Sequence, residues 1–119
     1  MLAVVDAWVR EPRPGASVNA GYMTLVNTGG DAVELVGIES EAFSSIDLHE
    51  MASVDGLMEM REVPELPIAA GGHVQLAPGG MHLMMRGPRH ELVAGEEVEL
   101  TLVFASGTKQ AFRAPVSTR

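Results

Sequence analysis

Apolar and polar residues alternate along this chain in short runs, and Gly, Pro, Asn or Asp interrupt them every eight to twelve residues or so, which is the grammar of strands and turns. The run "VELTLVF" is the clearest case. Val98, Leu100, Leu102 and Phe104 fall on one face, with Glu97, Glu99 and Thr101 on the other, because successive strand side chains point to opposite sides. "LAVVDAWVR", "GYMTLVN", "AVELVGIE" and "QAFRAPV" read as further strands, with breaks such as "EPRPGA" and "TGGD" between them. "ELVAGEEVEL" comes nearest to a helical period, but Gly95 interrupts it, so it reads as turn then strand. Seven or more short strands with these turn signals predict an all-β, antiparallel β-sandwich. No repeat or low-complexity linker divides residues 1–119, which predicts one domain.

The same alternation places an unusual set of side chains together. In "LHEMASVDGLMEMR", Asp55-Gly56 is a two-residue hairpin signal, since a type I′ turn requires positive φ at both central positions. That turn sets a register: Val54 faces Leu57, Ser53 faces Met58, Met51 faces Met60, and His49 lies diagonal to Met60. On the other face Glu50 meets Arg61, an opposite-charge pair of the kind a correct register produces. His49, Met51, Met58 and Met60 therefore share one face of one hairpin. In "GMHLMMRG", His82 and Met84 point one way while Met81, Leu83 and Met85 point the other, which makes the latter three core and leaves His82 with Met84 on a functional face.

Composition narrows what such a face can do. A formal charge of −8 and a pI near 4.8 argue against non-specific binding to nucleic acid or anionic membranes, both of which need an excess of Lys and Arg. Cysteine is absent, so there is no disulfide framework, no thiolate nucleophile and no cysteine-ligated zinc or blue-copper site. No apolar run approaches the roughly 20 residues of a membrane helix. "MLAVVDAWVR" is too short and too acidic for a secretory signal, so an exported protein would have shed its leader from this chain. Hydrolase motifs are missing: there is no G-x-S-x-G, and "HEM" and "HEL" never supply a second zincin histidine. The reading is of a binding protein and not an enzyme.

Thioethers are soft, neutral and permanently deprotonated. Together with imidazole they suit Cu(I) better than zinc, magnesium or calcium. Two His and two Met bring no ligand charge, which favours the monovalent over the divalent copper ion. Methionine alone would be ordinary core filler. Its pairing with histidine at strand spacing, twice, changes that balance. His73 in "GGHVQL" reads as solvated, His90 as a loop residue, and Met23 as core.

The spacing His49, ten residues, Met60, twenty-one residues, His82, one residue, Met84 resembles that of the periplasmic copper(I) chaperones known as PCuAC, which serve the CuA centre of cytochrome c oxidase. "AWVR", "AGYMTLVN", "LVG", "LHEM", "IAAGG", "LAPGG" and "HLM" fall in the order of that family, so the resemblance covers nearly the whole chain. It implies a cupredoxin-like Greek-key β-sandwich or barrel with an exposed Cu(I) site. It further implies a periplasmic or otherwise extracytoplasmic location, and a monomer that delivers copper to an acceptor, cytochrome c oxidase subunit II. Carried over by position, the ligands are His49, Met60, His82 and Met84, with Met51 auxiliary.

Two departures from the family stand out. The tail "TKQAFRAPVSTR" has neither His nor Met, so no second copper site is expected there. After "HLM" the chain continues with Met85 and Arg86 where relatives are apolar, and Arg86 falls on the ligand side, with Glu50, Glu59 and Glu62 as its candidate anchors. Two other readings stay open at this point: a metal-free interaction module with a Met-rich surface, and a copper buffer without a dedicated recipient.

Overall fold

The computed structural model describes residues 2–13 and 15–119, and within them every regular element is a strand. The strands are β1 (Leu2–Arg10), β2 (Val18–Asn27), β3 (Val33–Glu39), β4 (Phe43–Val54), β5 (Leu57–Glu62), β6 (Leu66–Ile68), β7 (His73–Leu76), β8 (His82–Pro88), β9 (Glu97–Phe104) and β10 (Lys109–Ser117). Their lateral order is β5-β4-β8-β2-β1-β10-β9-β3-β6, and β7 continues the β8 side of β2. Pairing is antiparallel except at one place. β1 meets β10 in parallel through Val9 with Val116 and Arg10 with Ser117, and this short seam joins the two sheets of the sandwich. An all-antiparallel expectation misses it, because parallel partners far apart in the chain leave no turn signal between them.

The core follows from the alternation. Val98, Leu100, Leu102 and Phe104 turn inward from β9 and meet Met23 and Leu25 of β2, Leu83 and Met85 of β8, and Phe43 of β4 in one buried cluster. Met85 is fully buried, Met81 packs against the cluster, and Met23 is core as expected. His73 is exposed on β7, and His90 is exposed outside the strands, 3.6 Å from Glu96. Ala94 and Gly95 form a turn before β9, closed by Glu96 N donating to the Val93 carbonyl at 3.2 Å, with Gly95 at a φ of +100°.

Asn27, buried at the end of β2, is a polar anchor whose side-chain amide is engaged at both its nitrogen and its oxygen. Its Nδ2 donates to the carbonyls of Asp31 (2.8 Å) and Ile68 (3.1 Å), and its Oδ1 accepts from Gly29 N (3.0 Å), which pins two turns to one strand end. Beside the central strand β1, Arg119 donates to both carboxylate oxygens of Asp6, at 3.2 and 2.8 Å, and stacks 4.7 Å from the Trp8 ring. The hydrogen bond from Arg119 holds the Asp6 carboxyl below its usual range. Asp6 itself has a φ of +51° and sits where the β1–β2 register shifts between Val5 and Trp8.

Candidate metal centre

The hairpin of β4 and β5 adopts the register its turn dictates. Asp55 and Gly56 have φ of +51° and +81°, and Val54 pairs with Leu57, Ser53 with Met58, Met51 with Met60 and Glu50 with Arg61. The Glu50–Arg61 ion pair closes at 3.6 Å. β8 lies on the other side of β4, also antiparallel, and pairs His82 with His49, Leu83 with Leu48 and Met84 with Asp47. Directly paired residues project to the same face. Asp47, His49, Met51, Met60, His82 and Met84 therefore stand on one face, while Leu83 and Met85 project into the core.

The two imidazoles face each other with ring centroids 6.0 Å apart. With metal–nitrogen bonds of about 2 Å, two rings on one ion have centroids roughly 5–6.5 Å apart, so this separation admits a shared ion without strand movement. His82 Nδ1 lies 3.0 Å from the Gly80 carbonyl oxygen. A carbonyl can only accept, so a neutral His82 carries its proton on Nδ1 and keeps the Nε2 lone pair for a ligand. His49 Nδ1 is buried and finds no protein partner. An orphaned polar atom costs about 1–3 kcal/mol, which a bound ion would offset.

The thioethers are less uniform. Met84 and Met51 line, together with His82, Tyr22 and Arg10, an open cleft of about 360 Å³. Met60 does not line it. It is 47% exposed on β5, with the whole of β4 between it and β8, and its nearest methionine by register is Met51 directly opposite. Bringing Met60 and Met84 to one point requires the β4–β5 hairpin to curl over the face. All six β5 residues are exposed, so no core packing opposes that movement.

Arg86 stands on the ligand face as expected, but its anchor is not a glutamate. Its Nη1 donates to Asp47 Oδ2, and its Nη2 donates to the Met84 sulfur at 3.1 Å. Glu50 projects to the opposite face with Arg61, while Glu62, paired with His49, shares the ligand face but is separated from β8 by the whole of β4. Asp47 is invisible as a partner until the β4–β8 register is known, since its only sequence signal is being two residues from His49. Among the described residues, no three His, Cys, Asp or Glu side chains gather as a hard-metal site.

Comparisons with known proteins agree on what the chain resembles. Residues 2–116 match the family described as "Putative lipoprotein LpqE-like". "Putative lipoprotein Lxx21020" of Leifsonia xyli subsp. xyli is 36% identical over 116 residues, covering 97% of this chain and 69% of that one. "Uncharacterized protein RP573" of Rickettsia prowazekii is 30% identical over 118 residues, and this chain spans 65% of its length. Among solved structures, Cu(I)-loaded DR1885 from Deinococcus radiodurans aligns with a TM-score of 0.77 at 32% identity, covering 99% of this chain and 80% of that one. The apo PCuAC domain of PmoF1 aligns at 0.81 and 25% identity, over 99% and 94% of the two chains. The fold is the cupredoxin-like β-sandwich of those domains.

Proposed function

Because the chain belongs to the LpqE-like family, the family of PCuAC domains, we propose that it binds one Cu(I) ion through His49, Met60, His82 and Met84 and passes it to an acceptor protein. The observation that carries this reading is the His49–His82 pair, 6.0 Å apart on one face beside Met84, in a chain 32% identical to a domain solved with Cu(I) bound. Residues 1–119 act as one copper-carrying unit and as a monomer. The acceptor is the CuA centre of cytochrome c oxidase subunit II, and the site of action is outside the cytoplasm, in keeping with the lipoprotein description of the family.

The chemistry is carriage and not catalysis. Neutral imidazole and thioether donors stabilise the soft monovalent ion and leave little preference for harder divalent ones. The four donors come from three strands, His49 from β4, Met60 from β5 and His82 with Met84 from β8, so ligands can leave one at a time. A thioether goes first, being the weaker donor, and an incoming ligand of the acceptor takes its place. Since an imidazole must be unprotonated to bind, acidification weakens the site. Oxidation of a thioether to the sulfoxide removes a soft donor.

Anaerobic titration tests the reading: binding is expected to saturate at one Cu(I) per chain, and transfer to an apo acceptor is expected to proceed undiminished in the presence of a strong competing chelator. Suppression in proportion to chelator would mean release through solvent and would favour a buffer. The exposed Leu57 (69%) and Met58 (62%) at the hairpin tip favour a second reading, a metal-free interaction module. Absence of saturable Cu(I) binding would select it.

A further inference from the structure

Arg86 follows Met84 by two residues on β8, so both project from the same face. Val18 lies directly beside it on β2, and Ser45 on β4. Its guanidinium is shared between two groups, with Nη1 donating to Asp47 and Nη2 to the Met84 sulfur at 3.1 Å. Asp47 is also the residue directly opposite Met84 across the strand pair. The three side chains form a closed set in which the carboxylate fixes the guanidinium fork and the fork covers the thioether. A guanidinium is suited to this because its donors are rigidly coplanar, so a grip on the carboxylate also sets where the second N–H points. Thioether sulfur is a weak acceptor, so the contact contributes little to folding. Its chemical consequence is larger, because the N–H engages one of the two sulfur lone pairs and so competes with a soft metal ion for the thioether.

Resting on the copper reading above, we infer that Arg86 is a built-in competitor for the Met84 thioether, aimed by Asp47, displaced when Cu(I) enters and restored when Cu(I) leaves. Loading exchanges an N–H···S contact for a Cu–S bond, and unloading reverses it, with no proton or electron moved. The guanidinium charge repels an approaching copper ion as well, although Asp47 cancels most of that field at longer range. The device favours transfer over storage. When an acceptor ligand displaces Met84, the freed sulfur is taken up by Arg86 Nη2, so the detached state is stabilised and the ion is easier to hand on. Removing Arg86 should therefore give tighter binding and slower transfer, the reverse of what loss of a merely structural residue would do.

The test is a double-mutant cycle read by competition against a colorimetric Cu(I) chelator. Arg86→Leu is expected to bind Cu(I) about two- to fivefold more tightly, the lower part of the range for loss of one competing hydrogen bond, as suits a weak sulfur acceptor. In a Met84→Leu background the same substitution should change affinity by less than about twofold. No gain in the presence of Met84, or an equal gain in its absence, would overturn the inference. A metal-free readout runs beside it. In dilute peroxide, mass spectrometry of the apo chain should find Met84 sulfoxide forming several-fold faster in Arg86→Leu than in the parent, with the exposed Met58 as internal standard. Equal rates would also overturn it. Because oxidation needs no copper, a chain that fails to bind Cu(I) refutes the copper reading while the Arg86–Met84 contact is still judged separately. Should Arg86→Leu not melt cooperatively, Arg86→Gln, which also removes the fork, carries both measurements.

Discussion

His82→Ala is expected to lower Cu(I) affinity by at least about a hundredfold, given that losing only a supporting residue around a metal ligand typically costs ten- to a hundredfold. Three features make His82 the most sensitive position on the face. Its ring stands opposite that of His49, its Nδ1 is aligned by the Gly80 carbonyl, and it lines the open cleft with Met84. The alanine leaves the strand intact, because the core contact at this point is made by Leu83 on the other face. The paired control is His73→Ala, which removes an exposed imidazole on β7 and should leave affinity unchanged. Met60→Leu should weaken binding less than His82→Ala, since Met51 faces Met60 directly and can take part of its role. Chelator competition on the three variants gives the comparison. Equal affinity of His82→Ala and the parent protein would remove His82 from the ligand set.

The second large effect lies one residue away and concerns stability. Leu83→Ala should destabilise the fold by about 2–5 kcal/mol, the range for truncating a fully buried leucine. Leu83 is completely shielded from solvent and abuts Gly21 of β2, where even an added Cβ would come within 3.4 Å of its Cδ1. Denaturant unfolding should show a lower midpoint with an unchanged slope. An unchanged midpoint would mean that β8 contributes its inward face less than its burial implies. Adjacent residues of one strand thus face opposite ways, with Leu83 in the core and His82 and Met84 on the face proposed to bind copper.

Much of this was legible in the chain because a strand alternates with period two. Asp55-Gly56 determines a turn, the turn determines a register, and the register puts His49, Met51, Met58 and Met60 on one face. The inward set of β9 and the opposed roles of His82 and Leu83 follow from the same rule. What local alternation does not encode is which distant strands become neighbours. The β4–β8 pairing brings Asp47 to Arg86 across 39 residues, and the acids considered for that role, Glu50, Glu59 and Glu62, belong to the hairpin's own register instead. The parallel β1–β10 seam and the closing of Arg119 over Trp8 depend on the same long-range assembly. Asn27 gave no signal either, because a buried asparagine is distinguishable from a turn asparagine only once its partners at Asp31 and Ile68 are in place.

Counting the donors around the bound ion tests the central claim most directly. X-ray absorption of the protein loaded anaerobically with one equivalent of Cu(I) should find two nitrogen and two sulfur neighbours, with one sulfur lost in Met84→Leu and one in the double variant Met51→Leu/Met60→Leu, which also removes the thioether facing Met60. A copper environment of nitrogen and oxygen alone, or a sulfur count that neither variant alters, would contradict the account.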